Sequence, residues 1–194
     1  MEPVHLAIAP VDRREGSRVG GNPPRCFAGD TLVETHDYLL TLAASAAEWL
    51  LGRELSVFVR RGFTIGDDDL EYPDIGVHAV LHEPSGRGDG IVGRHPGLGS
   101  AALISAPVDA EEAPFVRIAG DPVLIQNEPS YAHAVEADGY RFLFQVNEEG
   151  WPVSDAPDPE FVEEYLFGYG SVYFYGRLDS KGAAQIVVPG FLDF

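Results

Sequence analysis

Glu34–Leu51 reads ETHDYLLTLAASAAEWLL, and how it is read decides what kind of fold surrounds it. It holds no Pro or Gly, is rich in Ala and Leu, and stops at Gly52, a residue suited to a helix C-terminus. Thr31 or Thr35 supplies an N-cap, and Leu39, Leu42, Ala43, Ala46 and Leu50, with Trp49, form a broad apolar stripe. The pattern predicts one amphipathic helix lying on a sheet. A second, short helix is expected over Pro159–Leu166, with Asp158 as N-cap and Pro159 at its first position.

Outside that stretch the ordered segments read as strands. Leu55–Arg60, Ile75–His82, Pro122–Gln126, Tyr140–Val146, Ser171–Tyr175 and Gln185–Val188 are short, aromatic or β-branched, and bounded by Gly, Pro, Asp or Asn. In Arg141–Val146 the alternation puts Phe142, Phe144 and Val146 on one face and Gln145 on the other. The expected fold is therefore α+β and mainly β: a mixed or antiparallel sheet in two related halves with one main helix. At 194 residues this is a single domain, 1–194, with repeat halves 1–108 and 109–194. Three matches in the same order suggest the repeat. Gly20-Gly21-Asn22-Pro23 is echoed by Gly120-Asp121-Pro122, LSVFV at 55–59 by FLFQV at 142–146, and PDIGVHAVLHE at 73–83 by FGYGSVYFYGR at 167–177.

These motifs carry a resemblance. GDPVLIQ at 120–126, FLFQVNEE at 142–149 and GYGSVYFY at 168–175 are similar to the YwqG-like family of bacterial proteins, best in the C-terminal half. Where that family often has an acidic residue before the last aromatic strand, this chain has Tyr169, and the first-half strand lacks the family's Gln. The resemblance implies a fold and brings no activity with it.

Charge narrows the function classes. Thirty-one acids oppose thirteen bases, for a net charge of −18. Residues 1–108 carry −6 (15 acids, 9 bases), residues 109–164 carry −12 (14 acids, 2 bases), and residues 165–194 balance. Such a field repels phosphate backbones and attracts basic surfaces, so a basic protein partner is expected and nucleic acid is not. No apolar run approaches the ~18 residues of a membrane-spanning helix, and the N-terminus lacks the pattern of a signal peptide. A cytoplasmic location without membrane attachment is the expectation. Cys26 is the single cysteine, which excludes an internal disulfide and cysteine-rich metal sites.

No motif in the chain specifies chemistry. His78 and His82 are spaced as metal ligands on a helix, but on a strand they stand ~13 Å apart. Gly88–Gly93 matches G-x-G-x-x-G without opening a helix, so Pro84–Gly99 reads as a flexible glycine-rich loop. The acidic turn Asp67–Asp74 lacks EF-hand spacing. Cys26, beside Arg25, needs a distant histidine to act as a nucleophile. No cofactor, no metal and no catalytic set is read from the sequence. What remains is a non-enzymatic, immunity- or adaptor-like binding module. Its partner-contacting residues are Gln126, Gln145, Glu148, Glu149, Trp151, Tyr169 and Tyr173, with Trp151 and Tyr169 as aromatic anchors among acids. The alternative is a small metal-free enzyme or small-molecule binder, its pocket between the halves lined by Gln126, Gln145, Tyr169 and Tyr173.

Overall fold

The decisive stretch is not a helix. In the computed structural model, which describes residues 2–9, 14–66, 69–107, 114–151 and 165–194, helix α1 spans only Leu32–Thr35, and the chain then turns into strand β3, His36–Leu42. Ala47 to Leu50 close with a 3-10 turn at Glu48–Leu50, and left-handed Leu51 and Gly52 lead into β4, Glu54–Arg60. The reason is burial on both faces. Asp37–Leu42 is buried throughout, and a strand covered on both sides reads as a continuous apolar run, with no period to separate it from a helix. Pairing on both edges then outweighs the propensity of the alanines.

The remaining strands are β1 (Val4–Ala9), β2 (Arg18–Val19), β5 (Val77–His82), β6 (Ala101–Ala106), β7 (Val116–Ile118), β8 (Arg141–Asn147), β9 (Ser171–Leu178) and β10 (Ala184–Asp193). Every ladder is antiparallel, in one sheet of order β10-β9-β8-β7-β1-β6-β2-β3-β4-β5. The fold is mainly β, with α1 and α2 (His133–Ala137) as short helices. The expected helix over Pro159–Leu166 falls mostly outside the described residues. Among the described residues no helix is long and apolar enough to cross a membrane.

The sheet curls until its edges meet. Strand β10 lies against β5, and Tyr72 N–H donates to Gly190 O (2.7 Å) while Leu192 N–H donates to Leu70 O (2.8 Å). The concave face wraps one core, where Phe144 stacks on Phe174 (4.4 Å between centroids) and on Trp49 (6.1 Å). The convex face carries two smaller clusters. Phe27, Val33, Tyr38 and Phe58 lie under α1, and Ala132, Val135, Tyr173, Tyr175 and Phe191 lie under α2.

That strand order is symmetric about the β1–β6 ladder. Strands β1 to β5 correspond one by one to β6 to β10, with the first strand of each set exchanged: β1 pairs with β7, and β6 with β2. Arg18-Val19-Gly20-Gly21-Asn22-Pro23 answers Arg117-Ile118-Ala119-Gly120-Asp121-Pro122, with positive φ at Gly20 and Gly21 and at Ala119 and Gly120. The bulge at Leu39 in β3 answers the bulge at Leu143 in β8. The correspondence differs from the one matched in sequence. FLFQV in β8 answers YLLTL in β3, whereas LSVFV in β4 answers the aromatic β9. The division between halves falls between β5 and β6, not at residue 108. The bulge also moves Phe142 off the Phe144 face. Phe142 packs with Tyr173 and Tyr175 on the convex side, while Leu143, Phe144 and Val146 enter the main core.

Candidate functional site

In each half, the positive-φ turn after the second strand sends a loop across the convex face, and polar side chains lie beneath it. In the C-terminal half that loop is residues 121–127. It was read as a strand at Pro122–Gln126, but side chains instead of a neighbouring strand satisfy its backbone. Gln145 uses both ends of its amide on Val123, accepting its N–H (2.9 Å) and donating to its carbonyl (3.2 Å). Tyr173 O–H donates to the same carbonyl (2.6 Å). The buried Asp193 carboxylate accepts the N–H groups of Ile125 (2.7 Å) and Gln126 (3.2 Å). Gln126 in turn donates to Phe194 O and accepts from Tyr131 O–H.

Gln126, Gln145 and Tyr173 therefore come together, with Gln145 and Tyr173 clamping the loop that carries Gln126. A cleft between the halves, of ≈ 340 Å³, is lined by Asp37, Arg60, Phe63, His95, Tyr165 and Gly168 among the described residues, and includes none of Gln126, Gln145, Tyr169 or Tyr173. Trp151 is also placed otherwise than its reading as an anchor: it is buried, with Phe115 at 5.3 Å and Tyr165 at 5.6 Å. Tyr169 is the exposed aromatic, 47% accessible and edge-on to Phe194 (5.0 Å), itself 40% accessible. Val123 (56%) and Ile125 (43%) stand on the clamped loop beside them. Glu148 accepts the N–H of Gly170 (2.6 Å), which sets a carboxylate against the turn that presents Tyr169, and Glu149 is exposed next to it. The result is an apolar patch of Val123, Ile125, Tyr169 and Phe194 with acids at its margin. Val123, Ile125 and Phe194 were missed in the sequence because exposure of an apolar side chain outside a strand or helix has no sequence signal.

The N-terminal half has the equivalent convex positions filled differently. Tyr38 O–H, Thr41 Oγ1, Ser56 Oγ and His82 Nε2 form a chain of hydrogen bonds of 2.7, 2.8 and 2.8 Å. His82 Nδ1 lies 2.8 Å from Glu83 O and 3.5 Å from Cys26 Sγ. Thr41 and Ser56 answer Gln145 and Tyr173, and His82 answers Asp193. So the distant histidine that Cys26 needed is at hand, 56 residues along the chain.

The direction of the hydrogen bonds argues against a nucleophile. Glu83 O can only accept, so His82 Nδ1 donates to it and the neutral ring's Nε2 accepts from Ser56, which accepts from Thr41, which accepts from Tyr38 O–H. Nδ1 then has no lone pair left for the thiol. Burial pushes the Cys26 thiol above its ordinary value and holds His82 below its own, so the pair rests neutral at neutral pH. Low-pKa cysteines show the reverse pattern. His78 packs on His36 (4.6 Å between centroids) and takes no part. Asp67 and Asp68 of the acidic turn lie outside the described residues.

The glycine-rich stretch 84–99, expected to be a flexible loop, is fastened to the 14–25 segment and to β3. Arg87 N–H donates to Arg14 O, Gly88 N–H to Pro23 O, Arg25 N–H to Gly86 O, Gly21 N–H to Leu98 O and Tyr38 N–H to Gly93 O. The comparisons with known proteins return no matching family model, no matching curated protein and no matching solved structure.

Proposed function

We propose that this chain is a non-enzymatic binding module of the cytoplasm that engages a basic protein through its C-terminal half, in the manner of an immunity or adaptor protein. The observation that carries the reading is the exposed Tyr169–Phe194 pair together with Ile125 and Val123, the latter two on a loop that three buried side chains fasten to the sheet. Exposed aromatics on a preorganised frame keep the entropic cost of association low and serve as short-range anchors. The −12 carried by residues 109–164 selects a cationic surface and speeds its approach. Nucleic acid is disfavoured by the same field. The amides and phenols that an enzyme or small-molecule site would use here, Gln145 and Tyr173, are occupied by the loop backbone.

The test is capture from the native host at low and moderate salt, with wild type compared against Tyr169→Ala/Ile125→Ser and against Glu148→Gln/Glu149→Gln. The expected result is a basic protein retained by wild type and lost with the patch variant. The charge variant should slow association more than it speeds dissociation. Retention of the same proteins by all three chains, or of small metabolites alone, overturns the reading.

A further inference from the structure

In an acidic chain the N-terminal half gathers positive charge in one place. Residues 14–25 and 85–94 hold Arg14, Arg18, Arg25, Arg87 and Arg94 against two acids, Glu15 and Asp89, a local +3 within a chain of −18. The tethers just described bring the two segments together. Arg14, Arg87 and Arg94 then line one cleft of ≈ 240 Å³ with Gly21, Asn22, Gly88, Asp89 and Ser100. Arg18 lies buried behind it, its guanidinium held by the carbonyls of Gly16 (2.9 Å) and Ser85 (3.0 Å).

We infer that this cleft binds a phosphate or phosphate-monoester dianion. Crowding three guanidinium groups costs Coulomb energy that an anion of two charges offsets, and the planar guanidinium fork matches phosphate oxygens in pairs. The groups are arranged for it. Arg87 is oriented by Ser100 Oγ (2.9 Å). The Arg94 guanidinium makes no hydrogen bond or ion pair among the described residues, and Arg14 meets only Asp89, at 3.8 Å and largely in solvent. Glycine lets the segments that wall the cleft approach this closely: at Gly21 (φ +71) a Cβ would stand 2.9 Å from Ser100 Cβ, and at Gly88 one would stand 3.0 Å from Pro23 O. The volume suits a phosphate with a small organic substituent. This site belongs to the opposite half from the Tyr169 patch and does not depend on it.

The experiment titrates the full chain with inorganic phosphate, with phosphoserine and with acetate at pH 8, holding ionic strength constant, and follows backbone amide resonances. Saturable shifts with phosphate or phosphoserine are expected at Gly21, Asn22, Arg87 and Ser100, and the tighter of the two separates free ion from ester. Arg94→Ala, which touches an exposed side chain, is expected to weaken binding about 10-fold while leaving the remaining spectrum intact. Arg87→Met should weaken it further. Shifts that do not saturate, affinity unchanged in Arg94→Ala, or acetate binding as tightly as phosphate overturns the inference.

Discussion

Replacing Asp193 with alanine tests whether the 121–127 loop is held by the sheet or only rests on it. The wild-type carboxylate is buried and accepts two backbone N–H groups, from Ile125 at 2.7 Å and Gln126 at 3.2 Å. A hydrogen bond to a charged group contributes about 1.5–3 kcal/mol. Ile125 and Gln126 are themselves exposed, so water recovers part of the loss once the loop lifts, and the lower end applies. Two such bonds give about 2–3 kcal/mol. In a chain of this size that lowers Tm by about 5–10 °C. Urea unfolding should show a lower midpoint with an unchanged slope. Hydrogen exchange should show amides 125–127 exchanging faster than those of β8 and β9, because the clamp fails locally before the sheet does. Val123 stays fastened by Gln145 and Tyr173, so the opening is confined to the far end of the loop. An Asp193→Ala chain within about 0.5 kcal/mol of wild type, with unchanged exchange at Ile125 and Gln126, refutes the clamp.

Two further outcomes follow from buried groups elsewhere. Burial pushes the Tyr38 phenol up to about 12, so the folded state keeps it neutral after the unfolded chain would ionise near 10. Its contribution is present in full below pH ~10 and is lost as pH rises toward ~12, a fall of about 2–3 kcal/mol that Tyr38→Phe should subtract from the alkaline loss in urea titrations, leaving the part due to the burial-raised Tyr173 and Tyr175. Gly20→Ala should prevent folding or cost more than about 3 kcal/mol, since its Cβ would fall 1.9 Å from Gly99 O at φ +66. Gly52→Ala, at φ +86 with nothing within 4 Å, should cost only about 1 kcal/mol, and equal losses for the two refute a packing origin.

Much of the sheet was legible because period-2 alternation and glycine boundaries are local signals. Strands β4, β5, β8 and β9 sit close to where their residues placed them. What failed was non-local. Asp37–Leu42 is buried on both faces and paired on both edges, and nothing within eighteen residues says so. The bulge at Leu143 moves Phe142 to the other face, a shift that alternation cannot register. Strands β2 and β7 are two and three residues long and owe their existence to partners around them. At the candidate site the polar residues were recognised, but their role was inverted: Gln145 and Tyr173 look inviting in sequence because their bonding partner, a loop backbone, has no side-chain signature. The repeat was visible in its turn, Gly20-Gly21-Asn22-Pro23 against Gly120-Asp121-Pro122, and slipped by one strand beyond it because β4 and β8 share an aromatic, apolar composition.

The exchanged first strands give the chain a schedule. On the ribosome, β1 is made first and its neighbours β6 and β7 come about a hundred residues later. Through that interval β2 lacks β6 on its open side, and β1 has no ladder at all. The N-terminal half cannot finish itself, and its hydrogen-bonding edge stays unsatisfied until its counterpart emerges. Until residues 101–106 emerge, the open edge of β2 is a place where a strand of another chain can pair instead of β6.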